Sequence, residues 1–265
     1  NRYLKYCFAH SVRCYVSPKI SDIILMGSER IHLFDTPLLV SRNMGLAVDQ
    51  RAAKRVMDIL ISGIGIIITS PIMLIIAIAV KAYDRGPVFY FQDRLTLGGK
   101  PFKICKFRSM CVDSEKNGAR LASKHDSRIT PVGHVLRNLH LDELPQLFNV
   151  FKGDMSLVGP RPERESIMLE YEKELPEFYY RLKVKAGLTG YAQVYGKYNT
   201  TPYDKLKLDL FYIENYSFLL DIKLIFMTFK IFFEKEVSEG VDDRQVNALK
   251  DSGKNAGVSE NKTEE

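Results

Sequence analysis

The chain has 265 residues, a formal charge of +6, no Trp and an ordinary apolar content. That length holds one large domain or two small ones. The charge is uneven: residues 236–265 hold eight acids against four bases, a local −4 that leaves +10 on the rest. A basic body fits nucleic acid, anionic lipid or phosphorylated small molecules. Cys7, Cys14, Cys105 and Cys111 form no C-x-x-C pair and have no histidine at zinc-ligand spacing. A zinc site and a disulfide framework are therefore not expected, and reduced thiols point to a cytoplasmic face.

In chain order, residues 1–50 mix short apolar runs with polar turns and resemble the last strands and a helix of an α/β unit. The first residues carry no signal-peptide pattern, and we read the chain as a fragment or a processed product. Arg51, Lys54 and Arg55 then precede an uncharged run of 22 residues, 59–80. As a straight helix this run is about 33 Å long, enough for a ~30 Å hydrocarbon core. Ser70-Pro71 breaks it at the middle, because Pro71 lacks an N–H and clashes with the preceding turn. Each half is then about 17 Å, too short to cross alone. Ser70 and Thr69 can bond the carbonyls so freed. Bases also follow the run, at Lys81, Arg85 and Arg94, so the positive-inside tendency places both ends in the cytoplasm. A re-entrant membrane helix over 51–85 fits all of this; a spanning helix fits the length only, and a buried core helix is the third reading.

Residues 87–112 predict two strands, 88–91 and 102–107, joined across 97–100 as a hairpin. Short helices are predicted over 132–139 and over 142–151, the latter with Pro145 in its first turn. A strand at 155–158 and a charged helix over 163–183, broken or bent near Pro176, follow. Residues 186–195 predict loop and strand. An apolar helix over 218–233, with Lys223 and Lys230 on one face, suits either a membrane interface or a cap on the core. The acidic tail, 236–265, has few large apolar residues and is expected to be disordered. The fold class is α/β of an α+β-like, mostly helical kind with a small sheet, its catalytic part at 86–235.

The candidate site lies between Arg137 and Glu163. Asp142 and Glu143 sit at a predicted helix start, whose partial positive charge favours anions and keeps a carboxylate ionised, as a nucleophile requires. Paired carboxylates also attract Mg²⁺, which bridges phosphates. Alone, the pair reads first as a helix cap and a first-turn acid. Its surroundings reverse that order. Pro160 and Pro162 restrict the backbone around Arg161, which can grip phosphate oxygens bidentately. Lys106, Arg108 and Arg137 add bases, and together they would form a diphosphate clamp.

These residues carry a resemblance. Lys54-Arg55-Val56-Met57-Asp58, Ser70-Pro71, Pro87-Val88-Phe89-Tyr90, Gln92-Asp93-Arg94 and Lys106-Phe107-Arg108-Ser109-Met110 occur in order. Asp126-Ser127-Arg128-Ile129-Thr130, Leu141-Asp142-Glu143-Leu144-Pro145-Gln146, Gly159-Pro160-Arg161-Pro162 and Gly187-Leu188-Thr189-Gly190-Tyr191-Ala192-Gln193-Val194 follow. The series, over 54–234, resembles the bacterial sugar transferases, monotopic polyprenol-phosphate phosphoglycosyl transferases. The resemblance implies a re-entrant helix at Ser70-Pro71 in the bacterial inner membrane, with the catalytic domain on the cytoplasmic face. It implies that Asp142 attacks the sugar-linked phosphate of a UDP-sugar, releasing UMP and forming an aspartyl phosphosugar that undecaprenyl phosphate then attacks. Glu143 would neighbour Asp142 at a Mg²⁺ site, Arg161 would contact phosphate, and Lys106, Arg108 and Arg137 would lie near the site. UDP-glucose and UDP-galactose are the favoured donors, N-acetylated relatives are also compatible, and the step would begin exopolysaccharide, capsule or O-antigen synthesis. Longer members suggest a homodimer, and residues 1–50 resemble the end of their extra domain. Two departures stand out: His140 where many relatives carry Ser or Thr, and Ala186 where many carry Pro.

The alternatives are a catalytically silent, membrane-attached scaffold of the same fold and a peripheral nucleic-acid binder. The intact acid pair and Arg161 argue against the first. The second predicts salt-sensitive oligonucleotide binding and gives no reason for the apolar run.

Overall fold

The computed structural model describes residues 2–41, 45–111, 126, 128–197 and 199–233. The acidic tail and most of the polar segment 113–126 lie outside the described residues. The chain divides into two compact units, Asn1–Asn43 and Met44–Glu265.

The first unit contains helices α1 (Arg2–Ala9) and α2 (Ile20–Met26) and an antiparallel hairpin of β1 (Glu29–Leu33) and β2 (Thr36–Val40). Every residue of both strands is exposed.

The second unit is built on α3 (Val48–Asp84), a helix of 37 residues that runs through Pro71. It is longer than the apolar run because the basic segment before it is already helical. Ser70 Oγ donates to the Ile67 carbonyl at 2.8 Å, the group that Pro71 cannot serve. Thr69 Oγ1 donates to Gly65 O at 2.7 Å. Both ends of α3 are tied into the protein, and its middle packs along one face only, where Gly63 and Gly65 lie close to Phe151 and Leu147 and Ile66 packs on the core. Asp58 Oδ1 near the start accepts from Ser156 Oγ at 3.0 Å and Leu157 N at 2.9 Å. Met73, Ile76 and Val80, near the end, form a core cluster with Phe107 and Leu136. On the other face Ile64, Ile67, Ile68, Ile72, Leu74 and Ile75 are exposed. Only 17% of the apolar window is buried, so a buried core helix is not what this is.

The structure reassigns two bases. Lys54 is buried and donates to Asp221 at 2.6 Å and Tyr212 Oη at 3.1 Å. Arg55 donates to the carbonyls of Val150 and Phe151, both at 2.8 Å. These side chains fasten α3 to the protein, so of the three leading bases only Arg51 is exposed for a topology signal.

The predicted hairpin is β3 (Phe89–Leu95) paired with β4 (Pro101–Phe107) around the turn Leu97–Gly99. Then come α4 (Pro131–Asn138), a 3₁₀ turn Leu141–Glu143, α5 (Gln146–Lys152) and β5 (Ser156–Val158). The charged helix is broken at Leu175, next to Pro176, into α6 (Glu165–Glu174) and a 3₁₀ segment Pro176–Lys183. Strand β6 (Gly187–Thr189) pairs parallel with β5. Residues Tyr191–Tyr195 form a short helix, α7, where loop and strand were expected. Helix α8 (Pro202–Glu214) was not predicted; α9 (Phe218–Phe233) was. Among the described residues the strands make three separate pairs, where one small sheet was expected.

Candidate active site

The acid pair sits between two helices. Helix α4 starts at Thr130, whose side chain accepts from Gly133 N at 2.9 Å, with Pro131 at the first position. It ends where His140 adopts the left-handed conformation, φ 52° and ψ 20°. Such a residue stops a helix and redirects the chain, and glycine or asparagine usually does it. The redirected chain enters the 3₁₀ turn carrying Asp142 and Glu143. Leu141 and Leu144, on either side, pack on the core cluster that includes Met73, Ile76 and Val80 of α3. The site is therefore anchored to the second half of the long apolar helix.

Glu143 is held by two cations on one oxygen. Its Oε1 accepts from Lys106 Nζ at 2.6 Å and from Arg161 Nη2 at 2.9 Å. Burial would push the Glu143 carboxyl up, but Arg161 and Lys106 outweigh it and hold the group below the ordinary carboxylate range. Lys106 is pushed down by burial, which Glu143 opposes. Arg161 is raised by Glu143, and 43% of its side chain stays open to solvent.

Asp142 differs from its neighbour. It is half-buried, and no described residue makes a hydrogen bond to its carboxylate. Burial raises its pKa, the Glu143 charge raises it further, and Lys106, Arg137 and His140 draw it partly back. The sequence reading expected a helix terminus to favour the charged form. The 3₁₀ turn and the partial burial instead give a raised, more basic carboxylate with a free face.

The loop that presents Arg161 is fixed through its backbone. Four successive carbonyls each receive a donor: Pro160 from Gly187 N at 2.9 Å, Arg161 from Arg181 Nη2, Pro162 from Arg94 Nη1 and Glu163 from Leu95 N, each at 3.0 Å. Arg181 is itself buried and pairs with buried Asp209 of α8 at 2.8 Å. Glu163 pairs with Lys205 and lies 3.8 Å from Arg94. Sequence reasoning missed Arg181, Asp209 and Lys205. The available signal was Asp209 on the apolar side of an unrecognised helix.

The predicted bases separate. Lys106 and Arg161 meet at Glu143. Arg137 lies within electrostatic reach of Asp142 and of Asp126, whose hydrogen bond to Arg128 chiefly lowers its pKa to about 2. Arg108 is buried and pairs with Asp84 at the end of α3, so it closes that helix and makes no contact with the acid pair. Ala186 has a use for the N–H that a proline would lack: it donates to Thr96 Oγ1 at 3.1 Å. A small cleft next to the two cations that hold Glu143 is lined by Arg94, Lys106, Gln146, Arg161 and Gly187 among others.

A carboxylate with a free face beside fixed cations is a setting for phosphoryl chemistry. Comparison with known proteins agrees: the family model of the bacterial sugar transferases matches residues 49–235. The chain belongs to this family. Among similar sugar transferases is a UDP-N-acetylgalactosamine-undecaprenyl-phosphate N-acetylgalactosaminephosphotransferase of Aeromonas hydrophila, 46% identical over 67% of this chain and 43% of that protein. A UDP-glucose:undecaprenyl-phosphate glucose-1-phosphate transferase of Klebsiella pneumoniae is 43% identical over 79% of this chain and 44% of that protein. One of the same name from Caulobacter vibrioides is 36% identical over 81% of this chain and 84% of that protein. The chain thus spans less than half the length of the first two of these sugar transferases.

Proposed function

We propose that this chain transfers a sugar 1-phosphate from a UDP-sugar to undecaprenyl phosphate at a membrane surface. The observation that carries the reading is the division of labour in the acid pair. Glu143 is committed to Lys106 and Arg161, and Asp142 is left with an unbonded, raised carboxylate. The names of the related transferases support the two substrates.

In this reading an Asp142 oxygen attacks the sugar-linked phosphorus, and the bond to the bridging diphosphate oxygen breaks. UMP leaves with that electron pair, and the sugar phosphate remains on Asp142 as an acyl phosphate. An oxygen of undecaprenyl phosphate then attacks the same phosphorus. The aspartyl bond breaks, the carboxylate is restored, and the lipid diphosphosugar is released. Positioning and charge neutralisation supply most of the gain in phosphoryl transfer. Lys106 and Arg161 are placed to supply it, and the covalent step divides transfer between a soluble and a lipid substrate.

A Mg²⁺ ion fits this donor set in part. Mg²⁺ binds through one or two carboxylates with substrate phosphates. The open Asp142 carboxylate would hold it, and Glu143 would join only after releasing a cation. When bound, the ion would neutralise diphosphate charge.

The anchoring proposed is re-entrant, on the cytoplasmic face of the bacterial inner membrane. Both ends of α3 are fastened to one unit while one face of its apolar middle is exposed, an arrangement that a helix with ends on opposite faces does not share. The test of function is UMP release over a panel of UDP-sugars. Asp142→Asn is expected to abolish release; unchanged release would remove Asp142 as the nucleophile. The panel also identifies the sugar.

A further inference from the structure

The geometry points to Gln146 as a further substrate-binding residue, donating through Nε2 to a phosphate oxygen in the cleft next to the two cations that hold Glu143. This inference rests on the phosphate-transfer reading above and deepens it. Gln146 opens α5, three residues after Glu143, and is only 2% exposed. Its Nε2 is buried and has no hydrogen-bond partner. A buried amide donor without an acceptor is unfavourable, so its retention at a cleft wall indicates an acceptor that arrives from outside.

The neighbours define that acceptor. The cleft is lined by Arg94, Lys106, Arg161, Gln146 and Gly187, together with Ile104 and Pro162. Arg94 already donates through Nε and Nη2 to Gln92 Oε1 and through Nη1 to Pro162 O. Lys106 and Arg161 share Glu143 Oε1. Gln146 is thus a preplaced donor not already committed to the protein, in a cleft walled by cations. An oxyanion would accept from Gln146 Nε2 and be favoured by the charges of Lys106 and Arg161. Both substrates carry one: the diphosphate of the UDP-sugar and the single phosphate of the lipid.

The test uses the full chain in lipid nanodiscs and the variants Gln146→Met, which keeps the volume and removes the donor, and Gln146→Glu, which adds an anion. Binding of UDP and of a short-chain polyprenyl phosphate is measured by calorimetry, with thermal unfolding alongside. Loss of one hydrogen bond to a charged group predicts binding weaker by about tenfold or more in Gln146→Met. Gln146→Glu should lose more. Gln146→Met should unfold no earlier than the parent, because an unsatisfied donor has been removed. Weakening of UDP alone assigns the contact to the diphosphate, and weakening of the lipid phosphate alone assigns it to the acceptor. Unchanged binding of both probes, or no binding of either by the parent, overturns the inference, as does weaker binding that merely tracks early unfolding. A parent that binds UDP through Gln146 yet releases no UMP from any UDP-sugar keeps this inference and refutes the transferase reading.

Discussion

Lys54→Met tests how the long apolar helix is fastened. Lys54 Nζ reaches Asp221 at 2.6 Å, and the two side chains are 7% and 0% exposed. Methionine keeps most of the aliphatic stem, so the change chiefly removes the charge. Asp221 retains the Tyr212 hydroxyl, at 2.7 Å, and no described cation in its place. Breaking a buried pair from one side costs about 3–5 kcal/mol, because the remaining charge is uncompensated. Against a typical stability of ~5–15 kcal/mol this is a large share. The pH dependence follows from the sign. Burial already raises Asp221 and Lys54 opposes it, so losing Lys54 raises the carboxyl further. The folded variant then binds a proton that the unfolded chain releases, and the deficit shrinks as pH falls through the raised value. Adding Asp221→Asn keeps the shape and an acceptor for Tyr212 and should recover much of the loss. Urea unfolding of the detergent-solubilised chain, followed by circular dichroism at two pH values, reads all three. A single variant within about 1 kcal/mol of the parent, or a double variant no more stable than the single, would refute the reasoning.

Two further outcomes are expected. Glu143→Gln removes a charge that raises Asp142 and leaves Lys106, Arg137 and His140 drawing it down; the acid limb of UMP release should therefore move to lower pH, and a limb that stays or rises would contradict the assignment. Gly133→Ala would place a Cβ 1.9 Å from the Ser109 carbonyl oxygen; the backbone must shift, thermal unfolding should come several degrees earlier, and parity with the parent would mean that α4 moves freely.

The long apolar helix, the hairpin and the last helix were legible because each rests on local chemistry. An uncharged run, a turn between alternating strands and a motif read in order do not need distant partners. Helix α8 escaped notice because it alternates charged and apolar residues; its Asp209 and Tyr212 acquire meaning only opposite Arg181 and Lys54. Ser70 behaved as its position before proline implies, since its acceptor is one turn back in the same helix. Arg108 did not, since its partner Asp84 ends α3, on the other side of the hairpin in the chain.

The sequence by itself determined which groups could do the chemistry: two adjacent carboxylates, an arginine between prolines, and an apolar segment beside them. Tertiary structure decided how they are placed and paired. Identical motif residues could have left either acid free; the approach of Lys106 from β4 and Arg161 from the proline loop commits Glu143 and leaves Asp142 open. Charge partners and burial depend on segments far apart in the chain, and only packing brings those segments together.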